Sequence, residues 1–230
     1  MKKHIYTIIG ILVPLGPLAL SFDEKVYFFQ YLAPVLGAIL VAGSVFIVWD
    51  IFAVRKKHWS FNDSYVGSLR IARLPAGEWL FFMGVPYACI FIYETVTAYF
   101  GDSQIQGYDN LFLYAGYGLV LPGLIFGFLQ KRAYTSWVAF AVSGAILMVS
   151  LFSAELWQST AFWAYIGLCH FAFLLVNGIY VNLPTIYYNQ EEFSGIRIIG
   201  IPCEDFLYNF SYLVLVLFSY LQFKEILAIP

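Results

Sequence analysis

A carboxylate three residues after a proline, with an arginine five residues before that proline, occurs twice in this chain: Arg70, Pro75 and Glu78, then Arg197, Pro202 and Asp205. The surrounding text repeats as well. Arg-Ile-x-x-Leu-Pro-x-x-Glu-Trp-Leu-Phe (70–81) recurs as Arg-Ile-x-x-Ile-Pro-x-x-Asp-Phe-Leu-Tyr (197–208), without a gap, at an offset of 127 residues. At the same offset Asp50 matches Asn177 and Asn62 matches Asn189, and the second copy adds Glu204 beside Asp205. Carboxyl groups gathered in apolar surroundings can donate a proton to a substrate and take one back, which is general acid–base chemistry. A carboxyl group at the edge of lipid is also costly to keep, which makes each one a functional candidate. The competing reading is structural, with Glu78 and Asp205 as helix N-terminal charges favoured by the macrodipole and paired with Arg70 and Arg197. Two matching sets favour the acid–base reading. A helix N-terminus and an arginine lower a carboxyl pKa while apolar burial raises it, and the sequence leaves that balance open.

The elements that must position these residues are apolar helices. The 230-residue chain is 61% hydrophobic, 20% aromatic and 11% charged, against ~25% charged residues in soluble domains. Seven segments, near 5–21, 31–54, 79–100, 111–129, 134–153, 162–183 and 206–223, approach the length that crosses ~30 Å of hydrocarbon. The reading is an all-α membrane protein with seven transmembrane helices. The first segment is short and holds Pro14 and Pro17, which membrane helices tolerate with a bend. Its Met-Lys-Lys-His start is read as part of a first spanning helix, because no cleavage-site pattern follows. Lys2, Lys3, Arg55, Lys56, Lys57, Arg70, Arg73, Lys131, Arg132 and Arg197 collect on one side of this topology, with Lys25 and Lys224 on the other. The positive-inside rule then puts the N-terminus and both motif loops, 55–77 and 184–204, in the cytoplasm, and the chain in the cytoplasmic membrane as a multi-pass protein.

The offset makes helices two and three correspond to six and seven, and helix one to five. Two three-helix repeats, 1–109 and 131–230, are joined by a linker helix over 110–130, and both point the same way. Parallel repeats imply a pseudo-two-fold axis along the membrane normal. In a hairpin, Asp50 and Glu78 meet at the cytoplasmic end, and symmetry sets Asn177, Glu204 and Asp205 opposite them.

Other residues read as structural. Pro75 and Pro202 fit a chain turning into a helix. Glu94 lies sixteen residues beyond Glu78, about 24 Å along a helix, and is expected to be solvated at the outer interface. His170 is a packing histidine with no second histidine at metal spacing. Cys89, Cys169 and Cys203 have no ligand or redox spacing and read as apolar fillers. No metal site and no nucleic-acid partner are indicated. There is no Gly-x-Gly-x-x-Gly, P-loop or Gly-x-Ser-x-Gly motif, no Asp-Asp-x-x-Asp run, and no lysine inside the last helix for a retinal Schiff base.

At Trp49-Asp50, Trp59-Ser60-Phe61-Asn62 and Leu74-Pro75-x-x-Glu78-Trp79-Leu80-Phe81-Phe82, the chain resembles the first half of the small membrane lycopene cyclases. Gly195-Ile196-Arg197-Ile198 and Ile201-Pro202-Cys203-Glu204-Asp205 resemble the second half. The likeness covers essentially the whole chain, in the fused single-chain form of a cyclase otherwise found as two subunits. It implies conversion of the acyclic ψ-ends of lycopene, or of a related C40 carotenoid met in membrane lipid, into β-ionone rings without a cofactor. Glu204 is expected as the proton donor. Asp205, Glu78 and Asp50 are expected as base or cation stabilisers, with Arg70, Arg197, Asn177, Asn62 and Asn189 orienting carboxylates or substrate. The family pattern Pro-x-Glu-Glu reads Pro75-Ala76-Gly77-Glu78 here, so Gly77 replaces a glutamate. A carotenoid-binding or accessory protein without turnover, and a diverged hydratase or cyclase with another substrate, are the alternatives.

Overall fold

The computed structural model describes residues 2–106 and 111–229. Apolar sequence with few charges becomes helix: α1 (Ile5–Leu20), α2 (Phe28–Arg55), α3 (Ala76–Phe100), α4 (Leu111–Leu129), α5 (Ala133–Phe152), α6 (Thr160–Asn182) and α7 (Cys203–Ile226). Five of them, α2, α3, α5, α6 and α7, are long and apolar enough to cross a bilayer; α1 and α4 are apolar and shorter. The chain is therefore a mostly helical, multi-pass membrane protein. The division expected between 109 and 110 lies outside the described residues.

Among the described residues, six strands of two or three residues depart from an all-α reading. They are β1 (Trp59–Phe61), β2 (Arg70–Ile71), β3 (Leu74–Pro75), β4 (Ile186–Tyr188), β5 (Arg197–Ile198) and β6 (Ile201–Pro202). Helical periodicity could not reveal them, because each occupies a loop between apolar helices. Their pairings obey the same offset as the sequence. Arg70 faces Pro75 in one hairpin, and Arg197 faces Pro202 in the other. Both hairpins turn through two residues of positive φ, Ala72 and Arg73 (49° and 78°), then Ile199 and Gly200 (51° and 84°). This is the pattern of a type I′ turn. Each hairpin ends on a proline that caps the following helix.

The antiparallel β1–β4 pair maps onto itself: Trp59 faces Tyr188, Ser60 faces Tyr187 and Phe61 faces Ile186. Such self-complementary pairing is the mark of an isologous contact. The backbone of Asn62 donates to the Thr185 carbonyl at 2.9 Å, and that of the matching Asn189 to the His58 carbonyl at 2.8 Å. Both motif loops therefore lie together at one end of the helices.

Helix packing follows the same rule. α1 packs on α3 as α5 packs on α7, and α2 packs on α7 as α6 packs on α3; α4 packs on α5. The core between them is aromatic and aliphatic, with Phe82, Ile90, Tyr165 and Leu213 among its fully buried members.

At the far end of α3, Glu94 differs from expectation. It is buried, accepting from the Tyr220 hydroxyl at 2.6 Å and from Lys224 Nζ at 3.3 Å. The α3–α7 contact removes it from water, and the long Lys224 stem reaches back to neutralise it. His170 packs as expected, with its ring nitrogens 2.8 and 3.1 Å from the carbonyls of Ile166 and Phe206.

Candidate active site

The chain turns into α3 and α7 immediately after Pro75 and Pro202, so Glu78, Glu204 and Asp205 all fall in the first helical turn. Asp50 sits near the loop end of α2. All four carboxyl groups are buried, exposing 6, 2, 6 and 4% respectively. Three of them, Asp50, Glu78 and Asp205, line one cavity of about 70 Å³ between the two halves. Its remaining wall is largely aromatic, including Trp59, Phe81, Phe82 and Tyr212.

Each carboxyl group in this chamber is held by tyrosine. The Tyr6 hydroxyl, from the start of α1, donates to Glu78 Oε2. The Tyr208 hydroxyl, from α7, donates to Asp50 Oδ1 at 2.9 Å. Asp50 and Glu78 lie beside each other in the lining of the same cavity. Across the cavity, Asp205 accepts on both oxygens, from Tyr134 at 2.6 Å and Tyr188 at 2.5 Å. Tyr188, in the loop, is pushed well above the ordinary tyrosine pKa, chiefly by burial and then by the Asp205 charge. It therefore stays a donor. The chamber thus holds a carboxyl pair on one wall and a doubly clamped single carboxyl on the other.

Sequence reasoning missed these tyrosines, although a signal was present. Tyr6-Thr7 recurs as Tyr134-Thr135, at an offset of 128 rather than 127. Between Tyr6 and Asp50, α2 carries a π-helical stretch, Ile39–Gly43, a geometry that accommodates an extra residue inside a helix.

Glu204 does not line the chamber. Its Oε1 accepts from Thr135 Oγ1 at 2.7 Å and from the Ser194 backbone N–H at 2.6 Å, and Cys203 Sγ donates to Oε2 at 3.3 Å. Cys203 is thus a polar contact as well as a filler. Gly77 occupies the matching place in the first half. A Cβ built there would lie 2.7 Å from Tyr6 Cδ1 and 3.2 Å from the Thr7 backbone nitrogen. The missing side chain lets α1 close onto α3 and brings the Tyr6 hydroxyl to Glu78.

The remaining expected residues are dispersed. Asn177 lines the chamber. Arg70 pairs with the exposed Asp63 rather than with Glu78. Arg197 donates to the Gly200 carbonyl at 2.7 Å and lies over the rings of Tyr188 and Phe193, 5.4 and 4.9 Å from their centres; of these partners Tyr188 lines the chamber. Asn62 caps the turn at Asp63–Val66 and donates to the Pro184 carbonyl at 3.0 Å and the Tyr187 hydroxyl at 2.8 Å. The Asn189 side chain accepts from the Glu191 N–H at 3.2 Å. These two asparagines join the loops.

Together, helices and chamber define a multi-pass membrane protein with buried carboxyl groups facing one cavity. A family model described as Lycopene cyclase matches residues 3–96 and 131–223, two segments that leave α4 between them. The chain belongs to the lycopene cyclase family, and membership implies carotenoid cyclisation. No curated protein and no solved structure gives a significant match.

Proposed function

We propose that this chain is a lycopene β-cyclase that closes ψ-ends into β-ionone rings by acid–base chemistry in the tyrosine-lined chamber. The observation that carries the reading is the convergence of three tyrosine-bound carboxyl groups on one cavity inside apolar helices. We place seven helices across the cytoplasmic membrane with the N-terminus inside. Residues 1–109 and 131–230 are two parallel repeats about an axis through the β1–β4 pair, and 110–130 is the linker.

The Asp50–Glu78 pair supplies the proton. Two neighbouring buried carboxyl groups share one proton, since two like charges side by side repel. Transfer of that proton to the terminal double bond of the ψ-end makes a tertiary carbocation. The neighbouring double bond attacks it, and a six-membered ring closes with the charge moved onto the ring. Asp205 then removes a ring proton to leave the β-end. Atoms and electrons balance, because one proton is added and one removed. Each acid–base step contributes about 10²–10⁴-fold. The rings of Trp59, Phe82 and Tyr212 face the cation, at roughly 0.5–2 kcal/mol each. The apolar wall excludes the water that would otherwise hydrate it.

We assign the donor to this pair rather than to Glu204, whose side chain is bonded to Thr135 and the Ser194 backbone and does not line the chamber. Glu204 anchors the turn into α7 instead. Arg197 and Tyr188 position Asp205.

The test is pigment analysis of lycopene-producing bacterial cells expressing the chain with Glu78→Gln or Asp50→Asn. Either variant is expected to leave lycopene unconverted at normal membrane levels of protein. Cyclic carotene at the wild-type level in both variants would remove the pair from the mechanism.

A further inference from the structure

A second, almost wholly apolar cavity runs from the chamber along the face between α3 and α6. It shares Phe81, Phe173, Asn177 and Asn209 with the chamber. Its walls are short side chains: Val85, Ala88 and Cys89 on α3, with Cys169, Ala172 and Val176 on α6. Asn209 is buried at the junction, and its Nδ2 has no hydrogen-bond partner among the described residues.

Because α6 packs on α3 as α2 packs on α7, the fold offers the same face a second time. That twin face is filled. At the offset of 127, Val85 becomes Tyr212, Val176 becomes Trp49, and Phe81 becomes Tyr208. Phe46, the twin of Phe173, touches all three rings, with centroids 4.6 Å from Tyr212, 5.7 Å from Trp49 and 4.9 Å from Tyr208. Tyr208 is also tied to Asp50, so these rings cannot swing away without breaking the acid pair's support. Two valines have become two large aromatic rings, and the space of a groove has become core.

We infer that the polyene body of the substrate lies only in the α3–α6 groove, because an aromatic plug of Phe46, Trp49, Tyr208 and Tyr212 closes the twin α2–α7 face. This rests on the cyclase reading for the identity of the polyene. Continuity with the chamber commits the groove to that occupant: it gives a chain leaving the acid site an apolar path along the helices. The two ends of a C40 carotenoid are therefore cyclised one at a time, with release and reversal between them.

The experiment copies the plug into the open groove. Val176→Trp and, from the opposite wall, Val85→Tyr are expressed in lycopene-producing cells. Val48→Trp, on an exposed face of α2, is the control for bulk. Membrane level, carotenoid retained on purification and cyclic product are all measured. Both groove variants are expected to lose retained polyene and product by about tenfold or more, the scale on which a misfilled pocket discriminates, with Val48→Trp unchanged. If one groove variant fails to accumulate, the other tests the same space. Polyene retention at the wild-type level in the folded groove variants would overturn the inference whatever the conversion. Wild-type protein that retains polyene but forms no ring would overturn the cyclase reading and leave the groove standing. Wild-type protein that retains none and forms no ring would overturn both, and one that forms rings while retaining none would overturn the groove alone.

Discussion

Gly77 stands where the family pattern has a glutamate, and the simplest expectation is that restoring the acid strengthens catalysis. The structure predicts the opposite. A Cβ at residue 77 meets the Tyr6 ring at 2.7 Å and the Thr7 backbone nitrogen at 3.2 Å. The ring cannot yield cheaply, because Tyr6 is buried, stacked on Tyr180 at 4.3 Å and bonded to Glu78. Overpacking of this kind costs about 1–3 kcal/mol, and Gly→Ala inside a helix returns about 0.5–1. Taken at the middle of both ranges, Gly77→Ala should therefore lose about 1.3 kcal/mol, or ~3–5 °C in melting temperature at about 2–4 °C per kcal/mol. Gly77→Glu should lose more, since displacing Tyr6 also strips Glu78 of a hydrogen bond to a charged group worth about 1.5–3 kcal/mol. The new carboxyl would point at Thr7, as Glu204 points at Thr135, and away from the chamber. Thermal melting of the detergent-solubilised protein and pigment analysis of the same cells make the assay. Unchanged melting in Gly77→Ala, or a several-fold gain of cyclic product in Gly77→Glu, would refute the reasoning.

Tyr188→Phe removes one of the two donors to Asp205 and should slow cyclisation about 10–150-fold, the equivalent of ~1.5–3 kcal/mol, at near-normal protein levels; initial rates in proteoliposomes check it. Glu204→Gln should lower the melting temperature while keeping ring formation per folded molecule within about tenfold, in contrast to Glu78→Gln, whose loss falls in the acid–base range. Glu94→Ala strands Lys224 and should cost about 3 kcal/mol of stability without altering the ratio of one-ring to two-ring product by chromatography. Burial, and then Lys56, hold the His58 pKa below its ordinary value against the opposing pull of Glu192. A histidine kept neutral in the fold contributes full stability above about pH 6.5, lost as pH falls from there. Melting temperature should therefore be flat from about pH 7 upward and decline below pH 6.5, and His58→Gln should flatten that decline.

Much of the architecture was legible because hydrophobicity dominates it. Apolar runs gave helices within a few residues of their bounds, and α4 and α5 meet at the expected short turn. The Arg-Ile…Pro…acid repeat pointed to two equivalent loops, and those loops do pair through β1 and β4. The strands themselves were hidden, since a two-residue hairpin has no periodicity to read. The chamber was half legible. Asp50, Glu78, Asp205 and Asn177 converge, as their positions at helix ends required. Glu204, one residue from Asp205, is turned about 100° around the helix and faces a different neighbour. The arginines and loop asparagines were drawn off by partners near in space that sequence spacing does not reveal: Asp63 for Arg70, and Pro184 and Tyr187 for Asn62. The Tyr6 and Tyr134 clamps were obscured by one residue of register, Tyr188 and Tyr208 by phenylalanines at their matching positions 61 and 81, and Glu94 by a lysine 130 positions away.

The central claim is that the chamber protonates a ψ-end and closes a ring. The most direct measurement is pigment analysis of lycopene-producing cells carrying the wild-type chain beside Glu78→Gln, with both proteins shown to be folded in the membrane. The account predicts one-ring and then two-ring β-type carotene for the wild type, and unconverted lycopene for the variant. Lycopene left unchanged by the folded wild type, or ring formation undiminished in Glu78→Gln, would contradict it.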